Sequence, residues 1–184
     1  MDKIFSRLSS HMIRGLMMHN DFAIMFDFLN LRGYRKEQER HYFEESFNYR
    51  CLNNFYLEHY NKLIVEDKVD NPKLIPSLWF KYTRMDVDAS EKRNAIRDIY
   101  KEWVNWETKT KELYESCYKE LYDLGEVAAA MYVARLIEDV SEELAGAQAK
   151  FLDLEAHGYD MVTIIDEQPR LYAQKLTIED DEND

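Results

Sequence analysis

The stretch IVEDKVDNPKLIPSLWFKYTRMDVD, residues 64–88, decides the fold because it separates two long helical segments. The first segment spans Lys3–Leu63 with a break near Leu31–Tyr34, and the second spans Ala89–Ala156 with a break at Leu124–Glu126. Short breaks make consecutive helices antiparallel neighbours, whereas the longer stretch must cross the bundle from one pair to the next. The sequence therefore predicts an all-α four-helix bundle, in which a long crossover joins two antiparallel hairpins.

Apolar side chains recur every three or four residues along the predicted helices, which is the spacing of one buried helix face. The clearest such face belongs to the first helix and comprises Ile4, Leu8, Met12, Gly15, His19, Phe22, Phe26 and Leu29. In the crossover, we expect a short helix after Pro76 and expect Leu78–Phe80 to cover the side of the bundle. Gly158 ends the fourth helix, and a short fifth helix is predicted over Tyr159–Gln168, before Pro169.

The composition limits the classes of function. The chain has 184 residues and a net charge of −12, which disfavours nucleic-acid binding because phosphates need clustered Lys and Arg. No apolar run approaches the ~20 residues of a membrane span, and the N-terminus enters amphipathic helix without a signal peptide. Cys51 and Cys117 are too few and too far apart for a disulfide framework. We therefore predict a cytoplasmic protein with one helical domain over residues 1–176 and an acidic disordered tail over residues 177–184.

Polar residues at inward positions are the first indication of chemistry. His19 lies on the apolar face of the first helix, Glu45 heads an inner row of the second, and Glu107 lies at or beside the core seam of the third. Each has a structural alternative: His19 as a hydrogen-bonded core residue, Glu45 as part of a solvated helix face, and Glu107 as a core-edge residue that is solvated or paired with Lys or Arg. Glu138 and Glu142 on the fourth helix also fit a solvated flank.

At Glu44-Glu45 and Glu107, within the arrangement of short loop, long crossover and short loop, the chain resembles the ferritin-like superfamily. The resemblance covers Lys3–Ala156. It implies iron or manganese held by a carboxylate from each of two helices and a Glu-x-x-His motif from each of the other two. In this chain Asn48 stands three residues after Glu45, and Ser141 stands three residues after Glu138. At both of these positions the family would place His. The ligands implied are Glu45, Glu107, Glu138 and Glu142, with Asp21 or His19 from the first helix.

Two hypotheses follow from this incomplete ligand set. The first is a divergent ferritin-like protein, homo-oligomeric as a dimer or larger assembly, with carboxylate-based iron or manganese binding. The alternative is a non-catalytic interaction protein that kept the bundle, lost the metal centre and binds no metal. The sequence leaves open whether the chain is an enzyme.

Overall fold

The computed structural model describes residues 1–70 and 73–175, so the predicted acidic tail lies outside the described residues. Within these ranges the regular structure is helical throughout. The helices are α1 (Asp2–Phe28), α2 (Arg32–Tyr60), α3 (Pro76–Phe80), α4 (Ala89–Asp123), α5 (Val127–Ala156) and α6 (Met161–Ala173).

The helices pair as the sequence predicts. The most extensive packing joins α1 to α2 and α4 to α5, while α1 meets α4 across the bundle and α6 packs against α2. Asp88 and Glu91 form the capping box that starts α4, because each side chain accepts a hydrogen bond from the other residue's backbone N–H, at 2.8 Å and 3.2 Å. The all-α bundle of two hairpins joined by a long crossover is confirmed.

The apolar core consists of two clusters, one towards each end of the bundle. One contains Phe22, Phe26, Tyr100 and Leu154; the other contains Phe5, Leu8, Leu52, Cys117 and Val133. The residues of α1 between these clusters include Gly15 and His19, both buried. A polar layer therefore lies in the middle of the bundle, with apolar packing on either side.

The crossover is fixed to the first hairpin by polar contacts. Glu66 accepts hydrogen bonds from Ser9 at 3.0 Å and from Tyr49 at 2.9 Å. The short helix predicted after Pro76 is confirmed as α3, and Leu78 is buried as expected. Phe80 differs from the prediction, because it is 79% exposed and does not cover the bundle.

The last helix extends beyond its predicted end, since α6 includes Pro169 and continues to Ala173. Proline lacks the N–H that would continue the helical hydrogen bonds, which is why the prediction ended there. Two contacts stabilise the final turn: Leu171 is fully buried, and Arg40 donates a hydrogen bond to its carbonyl at 3.0 Å. Tertiary packing offsets the hydrogen bond that Pro169 removes.

None of the helices in the described part of the chain is both long and apolar enough to cross a membrane.

Gly33 allows α6 to approach α2 closely, and this contact is testable. A Cβ at Gly33 would lie 2.4 Å from the backbone oxygen of Gln168, so we expect Gly33→Ala to displace α6. The expected loss of unfolding free energy is about 1–3 kcal/mol, as for other overpacked sites. Thermal unfolding and limited proteolysis of α6 would measure the effect.

Gly146→Ala is the matched control, because nothing lies within 4 Å of a Cβ at that helical position. Alanine there should raise stability by about 0.5–1 kcal/mol through helix propensity. Equal effects of the two substitutions would contradict the proposed contact between Gly33 and α6.

Candidate metal centre

The polar layer in the middle of the bundle brings together ionisable side chains from four helices. α1 contributes a histidine, α2 a histidine and two carboxylates, and α4 and α5 one carboxylate each. The six residues are His19, His41, Glu44, Glu45, Glu107 and Glu143.

The spacing on α2 explains why three of these side chains point the same way. His41, Glu44 and Glu45 occupy positions i, i+3 and i+4, which share one helix face. Gln38 stands one turn before His41 on this face and is fully buried. One face of α2 therefore supplies half of the ionisable groups in the layer.

His41, Glu44 and Glu143 form the tightest group. One possible ligand atom from each residue lies within 4.8 Å of the others. Nδ1 of His41 is 3.1 Å from Oε2 of Glu44, but the geometry does not make a hydrogen bond. Burial alone would lower the pKa of His41, but Glu44 and Glu143 help to raise it above its usual value. These three side chains are close enough to bind a single cation.

His19 and Glu107 form a neighbouring pair that is fully buried. Nε2 of His19 lies 3.7 Å from Oε1 of Glu107. On its other side, Nδ1 of His19 lies 2.9 Å from Oε1 of Gln38, which can only accept a hydrogen bond. Gln38 therefore orients the imidazole of His19 so that its Nε2 lies towards Glu107.

Glu107 is held by Trp103, whose indole N–H donates a hydrogen bond to Oε1 of Glu107 at 3.0 Å. The other carboxylate oxygen of Glu107 is buried and has no hydrogen-bond partner. The Trp103 ring also lies against both histidines, with centroid distances of 5.9 Å to His19 and 4.7 Å to His41. Trp103 thus orients one oxygen of Glu107 and leaves the other available to a ligand.

Glu45 fits into the layer because α1 has a glycine opposite it. A Cβ at Gly15 would lie 3.0 Å from Oε1 of Glu45, so a larger residue would crowd the carboxylate. Oε2 of Glu45 is buried without a hydrogen-bond partner. Glu45 therefore has a site shaped for it and an oxygen that no protein group satisfies.

Burial and mutual repulsion dominate the electrostatics of the layer. Burial, with the charges of Glu143, Glu107 and Glu44, raises the pKa of Glu45 well above its usual value. Burial, with Glu107 as the largest neighbouring charge, raises the pKa of Glu143 to about 8. Among the described residues, no Lys or Arg forms an ion pair with the four carboxylates. A metal cation would supply the positive charge that the protein does not.

The structure places three of the six sequence-predicted ligands in this layer: His19, Glu45 and Glu107. Glu138 and Glu142 are exposed on α5. Asp21 is buried away from the layer and pairs with Lys73 of the crossover, whose Nζ lies 2.7 Å and 2.8 Å from its two oxygens. Whether any of the six binds a metal stays a prediction.

His41, Glu44 and Glu143 are not among the ligands predicted from the sequence, although the sequence holds a signal for each. Glu143 follows Glu142 by one residue, a rotation of about 100° that turns it inwards. It also lies three residues after buried Val140. His41-x-x-Glu44 has the spacing of the Glu-x-x-His motif in reverse order, so a search for the usual order passes over it.

The raised pKa of Glu143 predicts how stability depends on pH. Between its ordinary pKa of 4.5 and about 8, the folded chain binds a proton that the unfolded chain has lost. Stability from this group is present below that window and is lost as the pH rises through it. In metal-free protein, we expect the wild-type Tm to fall relative to Glu143→Gln as the pH rises from about 5 to about 8. Glu142→Gln, one residue away and exposed, should follow the wild type; parallel curves for all three proteins would contradict the burial of Glu143.

No protein-family model matches the sequence, and no curated protein matches it. Among solved structures, a closed form of the Archaeoglobus fulgidus ferritin made by site-directed mutagenesis has a TM-score of 0.79 at 14% identity, over 96% of each chain. A humanized archaeal ferritin has a TM-score of 0.78 at 13% identity, over 95% of this chain and 96% of that one. An iron-soaked PmFTN variant has a TM-score of 0.75 at 11% identity, over 91% of this chain and 96% of that one. At such identities the likeness concerns the fold alone: this chain has the ferritin-like fold.

Proposed function

We propose that this chain is a divergent ferritin-like protein that binds iron through its buried carboxylate and histidine layer and works as a homo-oligomer. The observation that carries the proposal is a set of buried ligand atoms without hydrogen-bond partners, contributed by α1, α2 and α4. These atoms are Nε2 of His19, Nδ1 of His41, Oε2 of Glu45 and Oε2 of Glu107. Buried polar atoms are nearly always satisfied, so an unsatisfied group of ligand atoms favours a missing cation.

The geometry supports two adjacent cation positions. His41, Glu44 and Glu143 would hold one ion. His19 and Glu107 would hold the other ion. The charges of Glu107 and Glu143, which belong to the second hairpin, both act on Glu45. This donor set of four carboxylates and two imidazoles has the composition expected for paired iron or manganese ions in ferritin-like bundles.

The chemistry of these donors fits iron and also fits manganese. Carboxylate oxygens suit hard cations, and imidazole suits iron. Bound iron would supply the capacity for electron transfer. The chain's own residues hold the ions, orient the ligands through Gln38 and Trp103, and exclude water with the apolar clusters on either side. Glu45 and Glu143 must release their protons for a cation to bind, so binding should strengthen as the pH rises.

The alternative, a bundle kept only for assembly, fits the polar layer less well. A protein without a metal centre gains nothing from two buried carboxylates, Glu45 and Glu107, beside two partly buried ones, because burying unpaired charge destabilises the fold. Nor would it need Gly15 opposite Glu45, since a larger residue there would fill the space.

Exposed apolar side chains support the homo-oligomer. Leu63 and Val65 at the start of the crossover are 78% and 80% exposed, and Phe80 in α3 is 79% exposed. Met17 and Ile24 add apolar surface on the outer side of α1. Leu63 and Val65 lie near the N-terminal end of α1, and α3 lies near its C-terminal end, so an interface along the outer side of α1 would include both groups. A cytoplasmic location remains a prediction.

Metal content tests the proposed centre. After anaerobic loading with iron(II) and desalting, we expect elemental analysis to find about two ions per chain. Glu107→Ala and Glu143→Gln should each lower retained metal, because each removes a ligand and leaves the others poorly placed. Manganese(II) loaded in the same way would measure the preference between the two metals.

The matched controls are Glu138→Gln and Glu142→Gln, which remove exposed carboxylates from the same helix as Glu143. Both should retain wild-type metal content. Loss of metal in these controls but not in Glu143→Gln would instead support the ligand set predicted from sequence. Metal-free wild-type protein after loading would overturn the proposed centre.

Light scattering tests the assembly. We expect a defined oligomer for the wild type, and a shift towards the monomer for Val65→Asp and Phe80→Asp, since each places a charge on the proposed interface. Met131→Asp changes an exposed apolar residue of α5 that is outside this surface and should leave the assembly intact. A wild-type protein that stays monomeric at high concentration would contradict the homo-oligomer.

A further inference from the structure

The outer face of α6 carries an apolar stripe that no described part of the chain covers. The stripe consists of Val162, Ile165, Pro169 and Tyr172. All four are exposed, and the three that are not proline are between 54% and 65% exposed. The opposite face of α6 already packs on the bundle, since Ile164 and Leu171 are fully buried. A helix that only covers a bundle has polar residues on its outer face, so the fold does not explain the stripe.

The spacing of the stripe indicates what kind of structure would cover it. Its members follow one another at intervals of three, four and three residues, which is the a and d pattern of a helix that packs along another helix. A rotation of about 100° per residue places all four within about a quarter of the helix circumference. A second helix laid along α6 would therefore contact the whole stripe.

The residues that flank the stripe select the charge of the partner. On one side lie Met161 and Gln168, which are uncharged. On the other side lie Ala173 and Asp166, and Asp166 forms no ion pair with any residue that the structure describes. Beyond α6, residues 179–184 include five more acidic residues and no basic one. Because flanking charges set partner choice between paired helices, a partner with Lys or Arg beside its apolar seam is favoured.

The same carboxylate disfavours a second copy of this chain as an antiparallel partner. The midpoint of the stripe lies between Ile165 and Pro169, next to Asp166. Two antiparallel α6 helices would therefore bring their Asp166 side chains together at one edge of the contact, and like charges so placed oppose pairing. Moreover, α6 packs against α2, whereas the proposed homo-oligomer interface follows the outer side of α1. The stripe is separate from that interface.

We propose that the stripe on α6 binds an amphipathic helix of another protein. The apolar seam of this helix packs on the stripe, and a Lys or Arg beside the seam pairs with Asp166. An exposed ion pair contributes little affinity, so the apolar contacts hold the partner and the charge selects it. Because α6 has only 13 residues, the contact is small and the complex is of the transient kind. The proposal rests neither on the metal centre nor on the homo-oligomer.

Two synthetic helical peptides test the proposal on the full chain. Both have leucine at every a and d position, and their flanking positions are all lysine in one peptide and all glutamate in the other. Fluorescence anisotropy of the labelled peptides measures binding. We expect saturable binding of the lysine peptide and weaker binding of the glutamate peptide. Ile165→Gln should weaken binding of the lysine peptide about tenfold, because an apolar contact is lost. Met131→Gln, which changes an equally exposed apolar residue of α5, should bind as the wild type does.

A charge reversal separates pairing with Asp166 from attraction to the net negative charge of the chain. Asp166→Lys should reduce the preference for the lysine peptide about threefold. Asp123→Lys changes the net charge equally at an exposed position at the end of α4 and should reduce the preference less. Equal effects of these two substitutions would overturn the pairing with Asp166.

Three other results would also overturn the proposal. One is the absence of binding by either peptide, and another is wild-type affinity of the lysine peptide for Ile165→Gln. The third is a smaller assembly of Ile165→Gln in light scattering, which would assign the stripe to contacts between copies of this chain. Circular dichroism would verify that each variant is folded, as expected for substitutions at exposed positions.

Discussion

The burial of the Glu45 and Glu107 carboxylates, beside the partly buried Glu44 and Glu143 and without a Lys or Arg partner among the described residues, is the constraint on which the rest of the bundle depends. Charge removed from water is costly unless it is neutralised or paired. Protonation is one solution, and the raised pKa values of Glu45 and Glu143 indicate that the metal-free chain uses it. Binding a cation is the other solution, because its positive charge would attract the carboxylates and offset their mutual repulsion. Residues with no ligand role serve this layer: Gly15 makes room, Gln38 fixes a histidine, and Trp103 orients a carboxylate.

The division of the apolar core into two clusters follows from the same constraint. A polar layer in the middle of a bundle interrupts hydrophobic packing, so stability must come from both ends. Phe22 and Phe26 represent one end and Phe5 and Leu8 the other, all fully buried. These clusters also help to shield His19 and Glu107, which are fully buried, from water, and low solvent access strengthens the electrostatic interactions of this pair. The packing that stabilises the fold therefore also defines the chemistry of the centre.

The sequence predicts the bundle well because helix periodicity and break length are local properties. The buried face of α1, the short helix after Pro76 and the capping box at Asp88 all follow from neighbouring residues. The inward residue of α5 is harder to identify: Glu142 and Glu143 differ by one position, and helix rotation alone decides which faces the core. Tertiary contacts decide the remaining features. Lys73 pairs with Asp21 from a distant part of the chain, and Arg40 supports α6 beyond Pro169. Neither contact has a signal in the local sequence.

The distribution of the proposed ligands over the two hairpins would give a bound cation a structural role as well as a chemical one. Both histidines lie on the first hairpin, whereas the second contributes only the carboxylates Glu107 and Glu143. The backbones pack closely within each hairpin and much less between them, where α1 and α4 make the main approach. A cation held by His41 and Glu143, or by His19 and Glu107, would connect the hairpins where their packing is weakest. Metal that binds only the folded chain stabilises it by mass action. The free energy of metal binding would therefore stabilise the contact between the hairpins. Carboxylates that destabilise the metal-free bundle would hold it together once a cation is bound.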